Sequence, residues 1–151
     1  MKINFHGLFS LLLVVIAIAL SIFVLFNASL IFGACYLIFC LIGGVMILRV
    51  FCAKCPGRNN CGHFFPGIIT AKLFPGISPK PFTKKELLLL SLIIIVMISI
   101  PQNLLFQRIE LFAAYWMILI VAGIEIKLTV CTKCKNEFCP SNPLFKRVIK
   151  S

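Results

Sequence analysis

The chain has 151 residues, of which 61% are hydrophobic, and its mean hydropathy is +1.09. Soluble globular domains contain about 45–50% apolar residues, so the composition excludes an ordinary soluble fold. The net charge of +11 would indicate nucleic-acid binding in a soluble chain, but here the charges lie between long apolar stretches. We therefore predict an all-α integral membrane protein in a lipid bilayer, with no nucleic-acid partner.

The first 50 residues predict two membrane-spanning helices. No Lys, Arg, Asp or Glu occurs between Lys2 and Arg49, and each spanning helix needs about 20 apolar residues. The segment Asn27-Ala28-Ser29 interrupts the apolar run, so we predict a helix over 5–26, a tight turn and a helix over 30–50. A cleaved signal peptide is an alternative for the first helix. Its apolar stretch, however, exceeds the roughly 7–15 residues of such leaders, and no convincing cleavage site follows.

Residues 51–85 are polar, basic and rich in Cys, Pro and Gly, which predicts a cytoplasmic loop. An apolar part of this loop is interrupted by Pro66, Pro75, Pro79 and Pro81. It cannot span the bilayer, because each proline removes a backbone donor that lipid cannot replace. Two interpretations remain open for it: a short segment lying in the membrane interface, or a loop packed on the helix ends.

A second pair of spanning helices is predicted over 87–106 and 111–130, followed by a polar, cysteine-rich tail over 131–151. The sequence Thr83-Lys84-Lys85-Glu86 has the pattern of a capping box, in which the Thr and Glu side chains bond to amide hydrogens of the first turn. This pattern predicts the start of the third helix. Pro101 predicts a kink within it.

The positions of the positive charges predict the orientation. Four spans put both ends of the chain, the 51–85 loop and the tail on one side, which carries 14 of the 15 Lys and Arg residues. Only Arg108 lies on the other side. Because positive charge is retained in the cytoplasm, we expect cytoplasmic N- and C-termini and cytoplasmic cysteines.

One cysteine motif occurs twice. Cys52-Ala53-Lys54-Cys55 and Cys131-Thr132-Lys133-Cys134 are both CxxC motifs with Lys before the second cysteine, and they start 79 residues apart. Each motif follows the second helix of a hairpin. We therefore predict two repeated helical hairpins, each followed by a cysteine-rich cytoplasmic segment and related by an axis along the membrane normal.

The paired motifs indicate a metal site, because cytoplasmic thiols stay reduced and paired CxxC motifs there hold metal ions more often than disulfides. The candidate ligands are Cys52, Cys55, Cys61, His63, Cys131, Cys134 and Cys139.

The spacing of these ligands is compatible with more than one metal. In one interpretation the two CxxC pairs form a tetrahedral site of the zinc-ribbon or rubredoxin kind. In the other, each pair adds a third cysteine, Cys61 or Cys139, and binds an iron–sulfur cluster, with His63 as a candidate fourth ligand of the first set. We favour the iron–sulfur cofactor and keep zinc and redox-active or uncoordinated thiols as alternatives.

Three residues within the spans could be functional or merely structural. Glu125 could handle protons or ions, as intramembrane carboxylates often do, or it could reach the headgroups together with Lys127. Cys35 and Cys40 do not share a helix face, and we interpret both as packing residues.

These patterns predict a small membrane subunit that anchors a redox complex or relays electrons, with other protein subunits docking on its cytoplasmic face. The alternatives are a zinc-stabilised interaction protein and a soft-metal transporter in which Glu125 lines a path. The sequence contains no hydrolase triad, Walker loop, dinucleotide fingerprint or haem-attachment motif. Enzymatic activity is therefore left open, and a non-catalytic electron-transfer or anchoring role is favoured.

Overall fold

A computed structural model describes residues 5–55, 65–78 and 80–132, and within these ranges the chain is helical, with no strand. The helices are α1 (Phe5–Ala28), α2 (Leu30–Ile47), α3 (Phe65–Leu73), α4 (Lys84–Ser99), α5 (Gln102–Phe106) and α6 (Ile109–Glu125). Helices α2 and α6 continue as π-helical extensions, Leu48–Cys52 and Ile126–Cys131 respectively.

Four helical stretches are long and apolar enough to cross a membrane, which confirms the predicted four-span, all-helical organisation and indicates a membrane protein. They are Phe5–Ala28, Leu30–Cys52, Lys84–Phe106 and Ile109–Thr129. The predicted turn over 27–29 shortens to Ser29 alone. Asn27 is part of α1, and its side-chain amide donates to the carbonyl of Phe23 at 2.9 Å. This hydrogen bond satisfies the polar side chain within its own helix, where lipid could not.

The spans alternate in direction and pack as a bundle, in which α1 contacts both α2 and α6, and α2 contacts α4. The start of α1, the end of α2, the start of α4 and the end of α6 therefore lie at one end. We call it the cysteine end, because Cys52 and Cys131 lie there. The opposite end, where the chain turns at Ser29 and at 107–108, is the turn end.

Helix α1 packs mainly through small side chains, and Leu25 is the one large side chain among its buried residues. Its buried residues are Gly7, Ser10, Ala17, Ser21 and Leu25, which recur at helical spacing along one stripe. The Ser21 hydroxyl donates to the carbonyl of Ala17 at 2.9 Å, so its burial leaves no polar group unsatisfied. Small residues let helix backbones approach closely where the surrounding lipid is as apolar as the side chains.

Of the paired glycines of α2, Gly43 allows close packing against α4 and Gly44 does not face a neighbour. A Cβ at Gly43 would lie 3.0 Å from a methyl carbon of Ile93 on α4, whereas a Cβ at Gly44 would meet nothing within 4 Å. Cys40, on the same helix, is buried with Leu25 and Tyr36, while Cys35 is exposed. This arrangement agrees with a packing role for Cys40 and with the prediction that the two cysteines do not share a face. The packing role expected for Cys35 is wrong, because its side chain lies on the exposed side of α2.

Pro101 interrupts the third span, as predicted, and separates α4 from α5. A residue other than proline would donate its amide hydrogen to the carbonyl four residues earlier, which is that of Met97. The hydroxyl of Tyr36 on α2 donates to this carbonyl at 2.8 Å instead. A hydrogen bond between helices thus replaces the one that proline removes, where lipid could not supply a donor.

The segment between α2 and α4 contains a nine-residue helix, α3, that packs against the π-helical extension of α2. Thr70 and Gly67 are buried on its packed side, and the Thr70 hydroxyl donates to the carbonyl of Pro66 at 2.7 Å. Leu73 remains 59% exposed. The helix thus packs on a helix end, as one of the two sequence-based interpretations holds, while an apolar side chain stays available to the interface.

The link between Pro101 and Tyr36 predicts a dependence of one substitution on the other. Tyr36→Phe should lower the free energy of unfolding by about 1 kcal/mol, because the Met97 carbonyl loses its donor. In a Pro101→Ala background the backbone supplies that donor again, so the same substitution should cost much less. Denaturant unfolding in mixed micelles measures the free energies of this double-mutant cycle. An equal loss of stability from Tyr36→Phe in both backgrounds would contradict the Tyr36–Met97 hydrogen bond.

A second prediction concerns Gly33 of α2. A Cβ there would lie 2.5 Å from the ring carbon Cγ of Phe26, so the ring must shift. We expect Gly33→Ala to destabilise the protein by about 1–3 kcal/mol, as overpacking does. Gly44→Ala is the control, since its Cβ would meet open space and Ala favours helix by up to about 1 kcal/mol. Thermal unfolding in detergent compares them, and a similar stability for both variants would refute the contact.

Candidate metal centre

Three of the seven candidate ligands lie within the described residues: Cys52, Cys55 and Cys131. The other four, Cys61, His63, Cys134 and Cys139, lie outside them. The predicted sharing of ligands between the two motifs therefore remains a prediction.

The first motif forms a tight turn at the end of the second span. Cys52 is the last residue of the π-helical extension, and the amide of Cys55 donates to the carbonyl of Cys52 at 3.2 Å. Both cysteines are half-buried, and Ala53 between them is fully buried. A two-residue spacer folded in this way is what lets both sulfurs of a CxxC motif face one ion.

The second motif begins in the same structural position as the first. Cys131 is the last residue of the π-helical extension of α6, as Cys52 is of the extension of α2. Both extensions lie at the cysteine end, and Cys131, like Cys52, is half-buried. Single-turn π-helical segments are uncommon and are frequent at functional sites, so their occurrence before both motifs is notable.

Contacts from the third span hold the first motif in position. The Lys54 ammonium group forms an ion pair with the Glu86 carboxylate at the start of α4. The ring of Phe51 stacks on that of Phe82, with 4.7 Å between the centroids and 17° between the planes. Because these contacts come from both sides of Cys52, the turn is attached to α4 as well as to α2.

Glu86 also completes the predicted capping box, which the structure confirms. The amide of Glu86 donates to the Thr83 hydroxyl at 3.3 Å, and the amide of Thr83 donates to the Glu86 carboxylate at 3.0 Å. One carboxylate therefore fixes the start of α4 and holds Lys54 of the cysteine motif. The sequence predicted the first role from spacing alone, but the second depends on the tertiary fold.

A second polar contact joins the other two spans at the cysteine end. Nδ1 of His6, in the first turn of α1, lies 3.3 Å from a carboxylate oxygen of Glu125 at the end of α6. The Thr129 hydroxyl donates to the backbone carbonyl of Glu125 and also lies 3.3 Å from the same carboxylate oxygen. The sequence pattern pointed to Lys127 as the neighbour of Glu125 and not to His6. The sequence did contain one indication of this contact, because His6 near the start of the first span and Glu125 near the end of the antiparallel fourth span lie at similar depths in the membrane.

Among residues 5–55, 65–78 and 80–132, no three His, Cys, Asp or Glu side chains are close enough to share a metal ion. Cys52, Cys55 and Cys131 therefore do not form a three-ligand site by themselves. A metal centre built on either motif needs ligands from Cys61, His63, Cys134 or Cys139.

The fold thus defines a four-helix bundle of the membrane-spanning class, with a cysteine motif after its second and fourth spans. Comparison with protein-family models, with curated proteins and with solved structures found no match. The inference of function therefore rests on the chain's own residues.

The double role of Glu86 predicts a graded response to substitution. Glu86→Ala removes the ion pair and the capping hydrogen bond that the Glu86 carboxylate accepts from the Thr83 amide, so the free energy of unfolding should fall by about 1–2 kcal/mol. Glu86→Gln keeps the capping hydrogen bonds, and losing a partly exposed ion pair should cost no more than about 1 kcal/mol. Thermal unfolding in detergent shows whether Glu86→Ala is less stable than Glu86→Gln.

The exposed first-turn Glu110 of α6 provides the control for this prediction. Its substitution by Gln should change stability less than either substitution at Glu86. Equal effects of Glu86→Ala and Glu86→Gln would show that the capping hydrogen bond of the Glu86 side chain contributes nothing.

Proposed function

We propose that this protein is a small membrane subunit that holds a cysteine-ligated metal centre at one membrane face and anchors a redox complex or relays electrons there. The observation that carries the proposal is the matched position of Cys52 and Cys131. Each ends a π-helical extension at the same end of the bundle, and each begins a CxxC motif.

The proposed cofactor is an iron–sulfur cluster. Each motif has a third cysteine close behind it in sequence, Cys61 or Cys139, and cysteine thiolates are the usual ligands of such clusters. Lys54 and Lys133 stand between the cysteines of each pair, and positive charge beside the thiolates would raise the reduction potential of a cluster. In this role the centre accepts one electron from a soluble donor protein and passes it to an acceptor in or on the membrane.

The proposed orientation puts the cysteine end in the cytoplasm. Among the described residues, Arg49, Lys54, Lys72, Lys80, Lys84, Lys85 and Lys127 are the Lys and Arg of that end, and Arg108 is that of the turn end. This asymmetry follows the positive-inside rule. A cytoplasmic location also keeps thiols reduced and available to a metal.

A structural zinc ion is the second candidate, and the attachment of the first motif supports it. The Phe51–Phe82 stacking and the Lys54–Glu86 pair join this motif to α4. A zinc ion bound by the cysteines would further stabilise the position of this motif, because structural zinc contributes folding free energy directly. The protein would then present a docking surface for other subunits without transferring electrons.

Metal content tests the proposal and separates its two forms. Protein purified without oxygen should contain iron, absorb near about 400 nm and give an electron paramagnetic resonance signal on reduction if it holds a cluster. Cys52→Ser and Cys131→Ser should each lower the iron content and the absorbance. Cys35→Ser is the control, because Cys35 is exposed within the second span, away from both motifs.

The outcomes differ for each candidate. Colourless protein with zinc that is lost in Cys52→Ser would support the structural-zinc form and exclude electron transfer. Protein without either metal, or metal unaffected by Cys52→Ser and Cys131→Ser, would refute the metal centre.

A further inference from the structure

A basic cleft opens at the cysteine end, between the end of the second span, the loop that follows α3 and the start of α4. Its volume is about 410 Å³, and the residues that carry the inference are Arg49, Lys54, Gly76, Ser78, Lys80 and Glu86. This volume lies within the range of roughly 300–1,000 Å³ that is usual for ligand-binding clefts.

The charges of this cleft do not cancel. The lining contains three cationic side chains and one carboxylate, and the ion pair between Lys54 and Glu86 neutralises one of each. Arg49 and Lys80 are both exposed, and neither forms an ion pair with any residue that the structure describes. Two positive charges therefore face a space of ligand size, which favours an anionic occupant.

The apolar surface next to the cleft indicates what kind of anion this is. Arg49 lies in the last turn of the span Leu30–Cys52, where a spanning helix reaches the headgroups. Val45, Ile42 and Leu41 precede it at helical spacing on the same side of α2 and are 51%, 60% and 63% exposed. A molecule with an anionic head and apolar chains matches this order of charge and apolar surface along the helix.

Two cavities at the turn end lack this excess of positive charge. One has a volume of about 190 Å³, and Arg108 is the one charged residue in its lining. The other has a volume of about 450 Å³ and is lined by Arg108 and by Glu110, so its one cation is balanced by a carboxylate. The cleft at the cysteine end, with two unbalanced cations, is therefore the stronger candidate for an anionic headgroup.

We propose that the cleft binds the phosphate group of an anionic phospholipid through Arg49 and Lys80, with the acyl chains lying along the exposed face of α2. The planar guanidinium of Arg49 can donate two parallel hydrogen bonds to phosphate oxygens, while Lys80 acts as a point charge. The Lys54–Glu86 pair forms the wall that joins the site to the first cysteine motif. This site is independent of any metal that the cysteines hold.

Lipid titrations of the full chain in detergent test the proposal. Phosphatidylglycerol added to mixed micelles should raise the thermal unfolding midpoint, whereas the zwitterionic phosphatidylcholine should not. Because each cation near a headgroup contributes about 1 kcal/mol, the double variant Arg49→Gln/Lys80→Gln should need at least about tenfold more phosphatidylglycerol for the same shift. Inorganic phosphate in lipid-free detergent is the third arm.

Lys72→Gln/Lys127→Gln is the matched control, since it removes the same charge from exposed positions outside the cleft. It should keep the response of the unchanged protein. The single variant Lys80→Gln, with an intermediate response, guards against a folding defect in the double variant, and circular dichroism compares their helicity.

The outcomes assign the source of the phosphate. A response to phosphatidylglycerol alone supports the lipid site, while an equal response to inorganic phosphate, lost in the double variant, supports a phosphate site filled from solution. The proposal is overturned if the double variant responds like the unchanged protein, or if the control loses as much affinity as the double variant.

Discussion

The hydrocarbon core of a bilayer offers no hydrogen bonds to a protein, and this constraint explains most of the fold. The break at Pro101 is the clearest case, because proline leaves the Met97 carbonyl without its backbone donor within a span. The Tyr36 hydroxyl supplies the missing donor from the neighbouring helix. A local defect in one helix thus fixes the position of another. The buried serines Ser10 and Ser21 follow the same rule, since each donates to a carbonyl of its own helix.

The same apolar surroundings change how the helices associate. Burial in lipid gives little hydrophobic driving force between helices, so close contact and polar links must hold the bundle together. Helix α1 supplies close contact through its small residues. Two polar contacts at the cysteine end, His6–Glu125 and the Lys54–Glu86 ion pair, then connect the four spans in pairs. Among the described residues, the polar contacts between spans are therefore most numerous at the cysteine end, where both cysteine motifs begin.

This clustering gives the cysteine end two proposed roles that share a wall. Lys54 lies inside the first CxxC motif and also lines the basic cleft. Glu86, its partner, fixes the start of the third span through the capping box. A phosphate group held by Arg49 and Lys80 and a metal held by the cysteines would thus both lie next to the Lys54–Glu86 pair without sharing a ligand. The arrangement would couple the position of the motif to the membrane surface that the protein occupies.

The sequence by itself determined the four spans, the capping box and the break at Pro101, because each depends on local composition or on spacing along one helix. It also gave the candidate ligands, although it could not decide whether the two motifs share a metal. Only the tertiary structure decided the partners of Glu125 and Glu86, the Tyr36–Met97 bond and the cleft around Arg49. These features depend on which helix faces meet, and helices that are apolar on every side carry almost no periodic signal of their packed face.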